Sequence, residues 1–424
     1  MRKILLLTAL GTFIVTFLVI QSCSKNENFN RNDEKAIAMS KSGPGMVTLN
    51  NMELLGKQIF FDNISAPNNQ SCASCHKPEY GFTGPNSGQN LVSGIYHGAI
   101  ATRFGNRKPP SAAYATLSPV FHFEDEDGLF EGGNFWDGRA TGERLGNPAA
   151  EQALGPFLNP VEQNNSSKES VLKQIAASQY LTLWTSVWGS PLSYETPDQI
   201  KTNYDRVGLA IAAYEGSAEV NQFTSKFDYY LKGMVELTEL ENQGMILFNG
   251  KGKCNLCHSS DDEQPLFTDF TFDNLGTPKN PGNPFYAMNT IFLPDGNPVN
   301  PLGSAWVDPG LGGFLQNHPN PAWQAMAAEN WGKHQVPTLR NVDKRPGPGN
   351  TKAYMHNGVF KSLAEVVHFY NTRDILSWPP PEVAQNVNTE ELGNLGLTAQ
   401  EELAIVAFLK TLSDGYVLKN NGNQ

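Results

Sequence analysis

The pentapeptide Cys-x-x-Cys-His occurs twice in this chain of 424 residues, as Cys72-Ala-Ser-Cys75-His76 and as Cys254-Asn-Leu-Cys257-His258. Each copy reads as an attachment site for a c-type haem. The two thiols add to the haem vinyl groups as thioethers, and the adjacent histidine reaches the iron from one face. Four of the five cysteines are used in this way, and the fifth, Cys23, closes an N-terminal apolar run. Structural zinc is the competing reading. It needs both pairs to meet across about 180 intervening residues, or each pair to recruit outside ligands. A redox disulfide within each pair is the other. Neither explains a histidine directly after both second cysteines. Two covalent haems are therefore expected, on Cys72, Cys75, Cys254 and Cys257, with His76 and His258 as iron ligands.

Residues 1–23 carry Arg2 and Lys3, then an apolar run from Ile4 to Ile20, then small or polar residues. That is the pattern of a secretory signal; the run is short for an uncleaved bilayer span. Cys23 at its end resembles the cysteine of a bacterial lipoprotein signal, which becomes the lipidated N-terminus, although the preceding Ile-Gln-Ser departs from the commonest form. Because c-type haem is attached outside the bacterial cytoplasm, the expected location is the periplasmic side of a membrane, anchored through Cys23 or else soluble. Residues 24–48 are polar and read as a tether. The remainder is long enough for two domains, taken as 49–225 and 226–424, each carrying one haem. The net charge of −11 argues against nucleic acid and suits a basic partner attracted at long range.

Ahead of each motif lies a short amphipathic segment with the same pattern, Gly56-Lys-Gln-Ile-Phe60 and Gly244-Met-Ile-Leu-Phe248, which reads as an internal repeat. Thr238-Glu-Leu-Glu241 and Thr398-Ala-Gln-Glu401 are capping-box signatures, and Ile405, Phe408, Leu409 and Leu412 keep the spacing of a buried helix face. Strand signals are weak. The Pro-, Gly- and Asn-rich stretch 275–335 is expected to be a long ordered loop covering the second haem, and a boundary is expected between 216 and 236. The fold class is thus mainly α, with two cytochrome c-like domains, each with one covalent haem, joined across an interface with long loops.

Beyond the haem motifs, Phe135-Trp-Asp-Gly-Arg139, Gln152-Ala-Leu-Gly-Pro-Phe-Leu-Asn-Pro-Val-Glu162, Pro337-Thr-Leu-Arg-Asn-Val342 and Tyr354-Met-His-Asn-Gly358 follow in order. From about Leu54 to Leu412 the chain resembles the bacterial dihaem cytochrome c peroxidases and the related MauG enzymes. The resemblance implies a peroxidatic first haem and an electron-transferring second one. It makes Glu162 the acid/base group over the peroxidatic iron, moving a proton between peroxide oxygens so that water leaves. Gln152 and Pro156 become pocket residues, and Trp136 the tryptophan between the haems; Trp136 could equally be interface packing.

At the far face of the second haem the resemblance brings Tyr370, fourteen residues after His356 where the peroxidases carry methionine. Tyrosine there is MauG-like and, as a hard anionic donor, favours oxidised iron. Met355 is the rival ligand. His97 resembles the histidine that caps the resting peroxidatic haem, with a surface loop histidine as the alternative. Asn106, Thr351 and Ala353 match an interdomain calcium site, alanine standing where proline is usual; a backbone carbonyl ligand tolerates that change.

The resulting expectation is a haem peroxidase reducing hydrogen peroxide to water with electrons from a small protein such as a monohaem cytochrome c or a cupredoxin. One alternative is a MauG-like enzyme oxidising residues of a partner protein through a high-valent dihaem state. The other is a non-enzymatic dihaem electron carrier.

Overall fold

The helices that frame the site are α1 (Asn51–Phe61), α2 (Pro148–Leu158), α3 (Pro197–Glu215), α4 (Glu239–Asn249), α5 (Leu363–Thr372) and α6 (Ala399–Lys410). They belong to a computed structural model that describes residues 47–418. The proposed signal, most of the tether and Cys23 lie outside the described residues. Each helix has a chemical reason to start where it does. Asn50, Thr196, Thr238 and Thr398 close capping boxes, satisfying amide groups that a first turn leaves unpaired. Pro148 and Pro197 occupy first positions, where no N–H is needed.

Two glycines set how these helices cross. A Cβ on Gly56 would overlap the Ala210 carbonyl, so α1 lies directly on the backbone of α3; a Cβ on Gly244 would overlap the Ala404 carbonyl, so α4 lies on α6 in the same way. One turn along, Phe60 meets Tyr214 edge-on at 5.4 Å and Phe248 meets Phe408 at 5.2 Å. The repeat read in the sequence is therefore a repeated helix crossing. Glycine provides close approach and the following aromatic pair fills the wedge that opens beside it.

Each crossing seeds its own apolar core. The first gathers Leu55, Ile59, Phe60, Trp184, Val207, Ile211 and Tyr214; the second gathers Phe248, Phe267, Phe369, Ile405 and Phe408. Between the crossings, matching turns recur. Asn134–Ala140 and Tyr354–Phe360 are each closed by an antiparallel bridge. Phe135 and Met355 both sit at φ 66°, and Gly138 and Gly358 at 73° and 72°. Left-handed backbone at a bulky residue is uncommon, so its recurrence at one place in both halves marks a shared device.

Strand content is small: β1 (His122–Glu124) pairs antiparallel with β2 (Leu129–Glu131), and β3 (Phe272–Asp273) with β4 (His334–Gln335). The stretch 275–335 departs from its expectation. It carries helices Gly310–Leu315 and Pro321–Ala325, and Leu311, Leu315 and Ala327 build a third apolar cluster with Phe121 and Phe130 from the β1–β2 region and with Phe272. It therefore also packs against the first half. Helices of five or six residues are too short to show a period among so many glycines and prolines.

Candidate haem and peroxide site

Both Cys-x-x-Cys-His motifs begin with one turn of 3₁₀-helix, Cys72–Ser74 and Cys254–Leu256, which brings each histidine back over its cysteines. The His76 N–H folds onto the Cys72 carbonyl at 2.9 Å, and His258 onto Cys254 at 2.9 Å. On the ring, His76 Nδ1 lies 3.0 Å from the Phe82 carbonyl and His258 Nδ1 lies 2.7 Å from the Phe267 carbonyl. A carbonyl only accepts, so each Nδ1 carries the proton and each Nε2 keeps its lone pair for a metal. Phe82 and Phe267 are again paired by conformation, at φ 56° and 55°. Burial holds His76 below the usual imidazole range and pushes His258 down to about 4, which keeps both rings neutral. Burial likewise pushes the four thiols up to about 12, with charge repulsion adding to it at Cys72, Cys75 and Cys257.

The residues fit the group the motifs imply. One continuous cavity is lined by His76 on one side and by Cys254, Cys257 and His258 on the other, with Trp136, Gln152, Met355 and Tyr370 along its wall. The cysteine pairs do not converge. Among the described residues the groupings able to hold a metal are Asp308–His334–His356 and Cys257–Asp273–Glu391, so a four-cysteine zinc site is not formed. The first grouping is also unsuited to a metal as it stands. His334 and His356 stack flat, 3.6 Å apart and 8° from parallel, so their in-plane lone pairs run side by side and do not converge.

Trp136 joins the two halves. Its indole N–H donates to the Lys108 carbonyl at 2.8 Å, its own carbonyl accepts from the Gln335 N–H at 2.9 Å, and its ring meets His356 edge-on at 6.4 Å. Lys108 N–H in turn donates to the His356 carbonyl at 2.8 Å. Arg107 clamps this junction, taking Asp137 at 2.6 Å and both oxygens of Asp308 at 2.6 and 2.7 Å.

Glu162 is placed by the end of α2. Pro156 sits in its last turn, and the chain folds back there: Gln163 N–H donates to the Pro156 carbonyl at 3.1 Å and Glu162 N–H to the Asn159 carbonyl at 3.0 Å. The half-buried Glu162 carboxyl lies close enough to Cys75 to raise its thiol further. Burial pushes Glu162 itself up, while Arg139, stacked 3.7 Å over the Phe135 ring and paired with Asp137 at 2.8 Å, pulls it down. Its proton is thus held more tightly than on an exposed glutamate, as an acid/base group requires.

Matching positions of α2 and α5 differ between the halves; of these Gln152, Val367 and Tyr370 line the cavity, whereas Gly155 is exposed and outside its lining. Counted from their N-caps, Asn147 and Ser362, the eighth residue is Gly155 in α2 and Tyr370 in α5, and the fifth is Gln152 in α2 and Val367 in α5. Tyr370 lines the cavity, and burial raises its phenol well above the ordinary range. Met355 lines it too, but in the turn position that Phe135 occupies in the first half, where a side chain packs.

His97 is not brought to His76. It is exposed, with Nδ1 2.7 Å from the Gly98 carbonyl and its ring against Phe104, and it does not line the cavity. At the expected calcium site, the Thr351 carbonyl accepts the Asn90 amide at 2.9 Å, the Asn106 carbonyl accepts that of Asn283 at 2.9 Å, and Ala353 is buried. These three residues offer only neutral oxygens, a donor set for a weakly held ion. Sequence reasoning missed Phe82, Phe267, Lys108 and Gly155. Only alignment of the two halves against each other would have singled them out.

The chain matches the family model described as di-haem cytochrome c peroxidase over residues 50–236. It is 33% identical to the methylamine utilization protein MauG of Paracoccus denitrificans, over 85% of this chain and 88% of that one. It is 28% identical to cytochrome-c peroxidase IdrP2 of Denitromonas iodatirespirans, over 85% and 80%. The crystal structure of the diheme peroxidase BthA from Burkholderia thailandensis superposes with a TM-score of 0.68 at 28% identity, covering 88% of this chain and 89% of that one. The chain belongs to the dihaem cytochrome c peroxidase and MauG family and is a haem oxidoreductase enzyme. This membership sets aside the non-enzymatic carrier.

Proposed function

We propose that this protein reduces hydrogen peroxide to water, with electrons drawn from a small redox protein through the second haem site into the first. The observation that carries the reading is the unequal pair of helices: Gly155 and Gln152 stand at the positions where the second half has Tyr370 and Val367. A haem bound at each motif supplies the redox chemistry. The chain supplies the rest. Gln152 orients peroxide with its side-chain amide. Glu162 takes a proton from one peroxide oxygen and returns it to the other, so that with two electrons and two protons the products are two waters. Pro156 fixes the fold-back that places Glu162, and Trp136 lies between the sites as the electron relay. Tyr370 would hold the haem of the second site through its phenol oxygen; Met355, in the packing position of Phe135, would not.

A second reading is favoured by Tyr370 and by the likeness to MauG. An anionic oxygen stabilises oxidised iron, and such a site would let the protein oxidise residues of a partner protein. Both readings share the response to peroxide without prior reduction that a Tyr370 oxygen implies; they part on what the oxidising equivalents then consume, electrons of a small donor or residues of a partner protein. We read the two apolar cores as two cytochrome c-like domains divided near 225, and the protein as exported and lipid-anchored through Cys23, with a basic monohaem cytochrome c or cupredoxin as donor. One weakly held calcium at Asn106, Thr351 and Ala353 completes the reading. The test of the main proposal is peroxide turnover with a reduced donor. Wild type should turn over and Glu162→Gln should not; equal rates would remove Glu162 from the chemistry.

A further inference from the structure

Two lysines are buried at the cavity wall, and among the described residues no carboxylate pairs with either. Lys108 is 9% exposed and Lys352 is 5% exposed, and both line the cavity that holds His76. Lys108 Nζ donates to Thr83 Oγ1 at 3.2 Å and to the Pro109 carbonyl at 3.0 Å, and stands 5.7 Å from the Trp136 ring centre. Lys352 Nζ donates to the carbonyls of Tyr80 and Asn341, at 2.9 Å each. Each ammonium has three protons and two acceptors, so one donor on each is left over. The two are near enough to repel each other. Of the charged groups that act on Lys352, Arg345 and Lys344 repel it, and the one carboxylate, Asp343, is paired with Arg345 at 2.9 Å.

Burial lowers both amines, Lys108 to about 8 and Lys352 well below the usual lysine range, so keeping both charged with neutral partners is costly; an anion with more than one carboxylate, entering the cavity beside them, offsets that cost. The second half has no equivalent. Gln335 matches Lys108, since its N–H meets the Trp136 carbonyl as that of Lys108 meets the His356 carbonyl, one residue after Phe135 and Met355 respectively; its side-chain N–H groups are both used on the carbonyls of Gly132 and Gly133 at 2.9 Å each. Elsewhere the second site's wall is acidic, with Asp273 and Glu391 both bound by the Asn388 amide at 2.7 Å.

We propose that Lys108 and Lys352 form a carboxylate-binding pair for the two propionate groups of the haem attached at Cys72 and Cys75, anchoring that haem and raising its reduction potential relative to the second. The inference rests on haem attachment at the first motif. Mass spectrometry of denatured protein tests that attachment separately, since a chain carrying no haem there fails the underlying reading and not this one.

The experiment uses the purified two-haem protein and its Lys108→Met and Lys352→Met variants, followed by resonance Raman spectroscopy and spectroelectrochemical titration. Each variant should shift the propionate bending bands of the first haem and lower its reduction potential, leaving the bands of the second haem in place. If a variant fails to load haem, the wild type decides: exchange into deuterium oxide should shift the first-haem propionate bands, because their donors are exchangeable N–H groups. Bands and potentials unchanged in both variants, or wild-type bands insensitive to deuterium, would overturn the proposal. A response from one lysine alone would also overturn it as a two-lysine site.

Discussion

The two halves of this molecule are built alike where they hold haem and unlike where they face it. Gly56 on Ala210 repeats as Gly244 on Ala404, the Phe82 carbonyl on His76 repeats as Phe267 on His258, and the Phe135 turn repeats as the Met355 turn. The matching helix positions then diverge. Gly155 answers Tyr370, Gln152 answers Val367, and Glu215, one residue after the Tyr214 of the crossing, answers Leu409. At these three positions the first half carries glycine, glutamine and glutamate where the second carries tyrosine, valine and leucine. The shared parts fix attachment and packing, so both halves need them. The divergent parts are the ones that give each site a separate task, and this is why we place peroxide at the first.

The comparison can be broken at several depths. The largest expected effect is on turnover: Glu162→Gln should keep both haems and the fold yet lose peroxide reduction by about a hundredfold or more, the scale of general acid/base catalysis. Steady-state rates with haem content measured alongside would show it, and near-normal rates would make Glu162 structural. Next, Gly56→Ala and Gly244→Ala should each destabilise the protein by about 1–3 kcal/mol, since the added methyl meets backbone that cannot swing aside. Denaturant unfolding of both variants checks this. If one is harmless, the two crossings are not equivalent.

A smaller effect is expected from Glu215. Burial pushes its carboxyl up to about 8, against about 4.3 for a glutamate in an unfolded chain. Above the unfolded value the native state keeps a proton that the unfolded chain has lost. Its stabilising contribution is therefore full below about pH 4.3 and declines, by up to about 1.4 kcal/mol per pH unit, until about pH 8. The other groups around it either do not titrate in this range or are paired. Cys72 is a thioether once haem is attached, Tyr214 is held well above it, and Glu219 is bound by Lys57 at 2.6 Å. Glu215→Leu, copying Leu409, should flatten stability between pH 5 and pH 8. A profile identical to wild type would mean that Glu215 is not an uncompensated acid.

Much of the attachment chemistry was legible in the sequence because it is local. Cys-x-x-Cys-His, the capping boxes at Thr238 and Thr398, and the glycine–phenylalanine repeat each span a few residues, and local spacing is what one-dimensional pattern preserves. The facing wall was legible only through family resemblance, because its members come from distant segments. Gly155 means nothing until α2 is laid beside α5, and Lys108 looks like any lysine until its ammonium is seen on Thr83 and Pro109. His97 shows the opposite failure. A histidine in roughly the right stretch suggested a ligand, but its ring turns to the Gly98 carbonyl at the surface. The stretch 275–335 concealed two short helices and a shared apolar cluster for want of a detectable period.

Whether the wall truly separates the two sites is decided by the ligand at Tyr370. The absorption and paramagnetic resonance spectra of the fully oxidised protein, recorded before and after peroxide for wild type and Tyr370→Met, test it directly. Wild type should show no methionine–iron charge-transfer band, one site with an open face, and a response to peroxide without prior reduction; Tyr370→Met should gain the band and lose that response. A methionine band in the wild type, or inertness to peroxide until half-reduced, would contradict the account and leave both haems on equal footing with an ordinary methionine-ligated peroxidase.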